Sequence, residues 1–301
     1  YRTCLIFWAT MARLRTFAGI EPEYSGFEQS GILLQSVPYD GTSTWGKGAD
    51  RGFQAFLTAA ENMELYDIET DSEVYKKGIH IVPPIHEKHT PGEIYAAVLE
   101  TTRKLLSTGK FLTFFGGEHS ISIGIIKAFV EKYPTLTVLH LDAHADLRKE
   151  YLGSPFNHAC AMHEASKSTN LIQVGLRSMD ASEKALLHPE RTFFAEHIMS
   201  SDLWMDEAID RMSDKVYLSF DLDAFDPSIF PSTGTPEPGG LTWHQTLRFL
   251  KRVFYSKNVV GFDLVEFAPI EGLRAPDFLV AKLYYKLLSY KFQDQNGQTE
   301  A

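Results

Sequence analysis

The sequence predicts a three-layer α/β/α fold built on a mainly parallel sheet. Three observations carry that expectation. Strand-like and helix-like segments alternate along nearly the whole chain, as they do when crossover helices join parallel strands. The strand-like segments are near-continuous apolar runs, so both faces of the sheet are covered. Three of these runs break at their C-terminal ends into clusters of Asp, Glu and His, the edge where ligands bind in open α/β sheets.

Taken in order, Gly31 to Val37 is the first strand, followed by the turn-rich Pro38-Tyr39-Asp40-Gly41-Thr42-Ser43. Thr90-Pro91-Gly92-Glu93 has the form of a capping box with Pro at the first helical position. It opens an amphipathic helix through Leu106 that Gly109 ends. Phe111 to Phe115 is a strand, and the helix from Ser120 to Lys132 stops near Pro134. Leu136 to Leu141 and Leu171 to Gly175 are further strands. Ser201 or Asp202 caps a helix to Met212, before the strand Lys215 to Phe220. Thr242 with Gln245 repeats the capping pattern for a helix to Phe254. Val259 to Leu264 is the last clear strand and Pro276 to Tyr290 the closing helix.

The expected division is an N-terminal segment over 1–30, one domain over 31–290 and a polar tail over 291–301, its end expected to fray. No internal repeat or low-complexity linker interrupts it. Within Tyr1 to Thr10 the apolar stretch Cys4 to Ala9 is shorter than the ~7 to 15 residues of a signal-peptide core, and no A-x-A site follows. Met11 reads as the natural start, and residues 1–10 as a non-native leader outside the fold.

At 301 residues and 44% hydrophobic, the chain can bury a full core. The net charge of -10 argues against nucleic acid or an anionic membrane as partner and mildly favours a cationic substrate. Two cysteines, Cys4 and Cys160, make neither a disulfide framework nor a Cys-rich zinc site, which fits a reducing, cytoplasmic setting. No apolar run approaches the ~18 residues of a transmembrane helix. The aromatic content, 13%, is assigned to the core rather than to base stacking.

The chemistry lies in the three clusters: Gly116-Gly117-Glu118-His119, Asp142-Ala143-His144-Ala145-Asp146 and Asp221-Leu222-Asp223. Alternate residues of an extended stretch share a face, so Asp142, His144 and Asp146 can converge, as can Asp221 and Asp223. Four crowded carboxylates repel one another unless cations neutralise them, and two divalent ions balance four negative charges. Carboxylate and imidazole without thiolate suit Mn²⁺ better than structural Zn²⁺. Bridging aspartates would hold two ions about 3.5 to 4 Å apart, the spacing of two-metal hydrolysis. Gly116-Gly117 belongs to no phosphate-binding motif and is assigned to backbone geometry.

These clusters, together with Asp263-Leu264-Val265-Glu266 and Thr233-Gly234-Thr235-Pro236, resemble the ureohydrolase family, which includes arginase and agmatinase. The similarity runs from about Gly31 to Tyr290. It implies an arginase/deacetylase-like fold and cleavage of a guanidino group by water, giving urea and an amine. It also implies two Mn²⁺ per chain. His119, Asp142, Asp146 and Asp221 would ligate one, and Asp142, His144, Asp221 and Asp223 the other, with Asp142 and Asp221 bridging and Asp146 also counted as catalytic. His158, in Asn157-His158-Ala159-Cys160, matches the family's mobile proton-shuttle histidine. Glu266 matches the carboxylate that pairs with the substrate guanidinium, as a carboxylate accepts two parallel bonds from that fork. Without the resemblance, His158 reads as a structural histidine, while Glu266, otherwise a helix-entry or salt-bridge glutamate, reads as functional from its position beside the proposed metals. A homo-oligomer, trimer or hexamer, is the family's common assembly.

Other readings stay open from the residues alone. His140 is either a core histidine or an orienting partner of Asp142. Thr233 to Gly240 either shapes the mouth of the site or is a surface turn. A related deacetylase would use a single zinc, and a regulatory paralogue would use no metal. The loop Leu147 to Asn157 lacks the Asn- and Thr-rich character of arginases and looks like that of agmatinases. Agmatine, cleaved to putrescine and urea, is the substrate this favours, with arginine or another guanidino acid as the alternative. Glu150, Tyr151 or Phe156 is expected to receive the ammonium tail. Arg148, pointing inward, would favour a carboxylate instead.

Overall fold

The computed structural model describes residues 15–86 and 90–293. The expected leader, the proposed start at Met11 and the tail beyond Gln293 lie outside the described residues. Eight strands form one sheet: β1 (Ile32–Val37), β2 (Ile79–Val82), β3 (Phe111–Gly116), β4 (Thr137–Leu141), β5 (Asn170–Leu176), β6 (Thr192–Phe194), β7 (Lys215–Asp221) and β8 (Asn258–Val265). Every pairing is parallel, in the order β2-β1-β3-β8-β7-β4-β5-β6. The four central strands β3, β8, β7 and β4 are those whose C-terminal ends carry the polar clusters, so the topology gathers segments far apart in sequence.

Among the described residues, eight α-helices cover the two faces: α1 (Gly52–Ala60), α2 (Pro91–Leu106), α3 (Ile121–Lys132), α4 (His163–Ser168), α5 (Ala195–Ile198), α6 (Leu203–Asp210), α7 (Trp243–Ser256) and α8 (Arg274–Phe292). One apolar layer joins the sheet to α1, α6, α7 and α8 through Phe56, Trp204, Phe249 and Tyr284. The other joins it to α2, α3 and α4 through Val98, Ile125, Phe129 and Ala165. Both faces of the sheet are therefore dry, as the continuous apolar runs predict. Phe17, from the segment ahead of β1, is fully buried and stacks among Phe56, Tyr284 and Tyr285. No helix among the described residues is long and apolar enough to cross a membrane.

The sequence left β2, β6, α1 and the short helices α4 and α5 unmarked. The two strands are edge strands of four and three residues, too short for a periodic signal. Helix α1 follows Arg51, which makes no side-chain cap. The two capping boxes are half formed. Thr90 and Thr242 each accept the N–H three residues on, from Glu93 and Gln245. Glu93, however, accepts from the Thr90 hydroxyl, and the Gln245 amide donates to Ile198 O. Asp202 precedes α6 without a side-chain capping bond, its carboxylate pairing with Arg248 instead, and the helix ends at Asp210 rather than Met212. Helix α8 starts at Arg274, so Pro276 sits in its first turn, where no helical N–H is lost. It runs to Phe292, so Lys291 and Phe292 are helix rather than tail.

Candidate metal centre

All six sequence-predicted ligands meet at the C-terminal edge of the central strands. His119 Nδ1, between β3 and α3, lies 3.1 Å from Asp142 Oδ2, 3.1 Å from Asp146 Oδ2 and 3.3 Å from Asp221 Oδ2. His144 Nδ1 lies 2.9 Å from Asp223 Oδ2 and 3.4 Å from Asp142 Oδ1. The two oxygens of Asp142 thus face different histidines. Asp221 turns Oδ2 to His119, while its Oδ1 accepts the Asp223 N–H at 2.8 Å. Backbone bonds hold the arrangement: Ala143 N–H donates to Asp223 Oδ1 at 3.0 Å and His144 N–H to Asp142 Oδ1 at 2.5 Å.

The hydrogen bonds behind the ligands fix which atoms are free. Ser219 Oγ–H donates to Asp263 Oδ1 at 2.8 Å, so at 3.0 Å it accepts from His119 Nε2–H. Nδ1 is then the nitrogen aimed at three carboxylates, and it is buried with no hydrogen-bond partner. A buried nitrogen among acidic oxygens, outside hydrogen-bonding geometry, fits a divalent cation. Burial pushes the His119 pKa down, but Asp142, Asp146 and Asp221 hold it well above the ordinary value. Burial, then Asp223 and Asp142, pushes Asp221 well up. His140 resolves as an orienting residue. The Gln173 amide donates to Ala145 O at 2.9 Å and to His140 Nδ1 at 3.1 Å, so His140 Nε2–H donates to Asp142 Oδ2 at 2.8 Å.

Asp146 and Glu266 both have positive φ, 53° and 64°, a conformation that costs a non-glycine residue energy and gathers at functional sites. At Glu266 the strain turns the chain back after β8. Its N–H donates to Gly117 O, and its Oε1 accepts the His119 N–H at 2.8 Å. A Cβ on Gly117 would stand 1.7 Å from Tyr39 O, and one on Gly116 would meet the Val265 side chain at 2.7 Å, so the pair serves close packing rather than a phosphate. Burial pushes the Glu118 carboxyl up to about 7, against bonds from Ser120 and Thr42. Glu118 is fully buried, and the neighbouring Glu266 is half-buried and reaches the cleft.

The cleft above the ligands has a volume of about 300 Å³. Its walls include His158, Glu266, Tyr151 and Thr235, so Thr233 to Gly240 does shape the mouth. Asp226 fastens that loop by accepting from the N–H groups of Gly239 and Gly240. Phe156 instead stacks on Tyr95 at 4.3 Å, and Glu150 is exposed and does not line the cleft. Tyr151 lines it, but its ring carries the Arg148 guanidinium at 4.5 Å. Two carboxylates that the sequence did not single out, Asp180 and Glu183, form the far wall, 3.9 and 3.8 Å from Arg148. Arg177 also went unmarked. Its guanidinium donates to the carbonyls of Asp223 at 2.6 Å and Glu237 at 2.8 Å. Cys160 is buried, its thiol pushed up to about 12 by burial, and is a packing residue.

A model of the arginase family matches residues 30–289. A Synechocystis protein named N(1)-aminopropylagmatine ureohydrolase is 33% identical over 282 residues, 90% of this chain and 92% of its own. A Thermus thermophilus protein of the same name is 35% identical over 269 residues, 88% of this chain and 92% of its own. The solved agmatine ureohydrolase of Thermoplasma volcanium superposes with a TM-score of 0.83 at 27% identity, over 93% of this chain and 95% of that one.

Proposed function

The chain belongs to the arginase family and is an agmatinase-like ureohydrolase, and we propose that its substrate is a guanidino amine without a carboxylate, cleaved to urea and an amine. Agmatine, giving putrescine, is one such substrate. N(1)-aminopropylagmatine is the second reading, favoured by the names of the two relatives above. The observation that carries the proposal is the Asp142 carboxylate shared between two His/Asp groups at the foot of the cleft, with Glu266 beside it.

His119, Asp142, Asp146 and Asp221 would hold one divalent ion, and Asp142, His144, Asp221 and Asp223 the other; ligand chemistry favours Mn²⁺. Bound ions would supply an activated water. Glu266, with Oε1 fixed by the His119 N–H, leaves Oε2 to receive the guanidinium. His158 lines the cleft, and burial pushes its pKa below the ordinary value, so near pH 7 it is neutral and able to take a proton and return it to the departing amine. Asp146 lines the same cleft.

At the far end the charges favour an ammonium over a carboxylate. Arg148 lines the cleft, but its guanidinium lies over the Tyr151 ring and 3.9 and 3.8 Å from Asp180 and Glu183, and two carboxylates against one guanidinium leave that wall net negative. A substrate carboxylate there would have to compete with both for Arg148, a repulsion that an ammonium avoids, and each 1.4 kcal/mol is about tenfold. Agmatine and its aminopropyl derivative should therefore exceed arginine in kcat/KM by about 10² or more. Urea release by the Mn²⁺-loaded protein from all three compounds, in wild type and Arg148→Ala, tests this. Arginine preferred by wild type, with the preference lost in Arg148→Ala, would sink the proposed substrate class. We further propose a trimer or hexamer, which light scattering in solution would detect.

A further inference from the structure

The geometry points to Thr42 as the residue that positions His158 for proton transfer, an inference that rests on the proton-shuttle reading of His158. Thr42 lies in the turn after β1, 116 residues from His158 in sequence. Its hydroxyl touches the histidine twice. Oγ1 accepts the His158 backbone N–H at 3.0 Å and lies 3.1 Å from ring Nδ1.

Two bonds from one atom fix both the backbone of His158 and the rotation of its ring. Tyr151 packs edge-on against the opposite side, centroids 6.1 Å apart at 85°. With Nδ1 committed to Thr42, Nε2 is the ring nitrogen left for a substrate, with no other bond among the described residues. A neutral ring can take a proton at Nε2 only if its hydrogen sits on Nδ1, and Oγ1 is an acceptor for that Nδ1–H before and after Nε2 is protonated. The ring need not move between the two states.

Thr42 is itself held. It is 8% exposed, and its N–H donates to Glu118 Oε1 at 3.3 Å. Glu118 in turn accepts from the Ser120 hydroxyl at 2.8 Å and the Ser120 N–H at 2.9 Å. The turn after β1 is thereby anchored to the segment that carries His119, and the shuttle is indexed to the metal cradle through Thr42.

The experiment compares T42V, T42S and T42A, each alone and with H158N, in the metal-loaded protein. It reads kcat, KM and metal content. T42V should lower kcat about 10-fold or more, a part of the ~10² to 10⁴ that a general acid–base group contributes, with KM and metal content unchanged. T42S, which keeps the hydroxyl, should restore most of it. In the H158N background T42V should have no further effect, whereas a merely structural role would lower activity in both backgrounds. Should T42V not fold, T42A carries the same comparison. A loss in H158N beside full activity in T42V, or equal T42V losses in both backgrounds, would overturn the role of Thr42 alone. Wild-type turnover in H158N would remove the shuttle reading and this inference with it.

Discussion

Asp142 turns one oxygen to His119 and the other to His144, one histidine from each proposed metal group. Asp142→Asn should therefore empty both metal sites and abolish urea release. Asp223→Asn, which faces only His144 among the histidines, should weaken one site and leave a metal-hungry enzyme. Metal analysis after dialysis distinguishes them, and equal tolerance of both changes would contradict the two-ion assignment. His158→Asn should lower kcat by about 10² to 10⁴ with metal retained; loss of metal would make it a ligand or a folding residue instead. Arg177 clasps the Asp223 carbonyl with a planar fork that lysine cannot reproduce. Arg177→Lys should cost about 10- to 100-fold in metal affinity, the usual worth of an outer partner, and titration of the apo-protein would show it. The ligands were legible because each closely follows an apolar strand, five of them at alternate spacing. Thr42, Gln173 and Arg177 were not. Their partners lie 116, 33 and 46 residues away, and a single sequence carries no sign of such pairings.

Between elements, Glu69 joins the chain ahead of β2 to two helices. Its carboxylate accepts from Lys251 on α7 at 2.9 Å and from Lys286 and Tyr290 on α8 at 2.5 and 2.8 Å. Burial opposes its ionisation, but the Lys286 and Lys251 ammonium groups and the Tyr290 hydroxyl outweigh it and bring the pKa from 4.5 to about 2. A carboxyl whose folded pKa is lowered contributes stability that is present above its unfolded value and lost as pH falls through its folded one. Glu69→Gln should therefore melt below wild type at neutral pH. The difference should shrink from about pH 4.5 and vanish near pH 2. A difference that stays constant over that range would show the effect to be packing rather than charge. Helices and strands with long periodic runs were readable, and so were their polar ends. The half-formed capping boxes show the limit: Thr-x-x-Gln at α7 names the cap correctly, but the Gln245 amide goes to a carbonyl on another helix, and tertiary contact decides that competition.

Across the whole molecule, the sheet order does what the separate motifs cannot: it makes neighbours of β3, β8, β7 and β4 and so turns four strand ends into one acidic pocket. The strands themselves are locked by apolar packing on both faces, and bonds such as Ala143 N–H to Asp223 Oδ1 do not involve a cation. The loops beyond them hold buried Asp142, Asp146, Asp221 and Asp223 against one another, which a cation stabilises and its removal leaves repelling. Chelation should therefore destabilise locally rather than unfold the sheet. A ligand at 100 times its Kd contributes about 2.7 kcal/mol, so stripping the metal should lower Tm by roughly 5 °C or more, at the ~2 °C per kcal/mol of a large domain. Hydrogen exchange should speed up over residues 117–121, 142–148 and 221–226 while β1 and β2 keep their protection, and added Mn²⁺ should reverse both changes. Exchange that rises evenly over the sheet would mean the metal holds the fold itself. An unchanged Tm would mean the carboxylates tolerate one another without an ion, and the charge balance from which the two-metal reading began would fail.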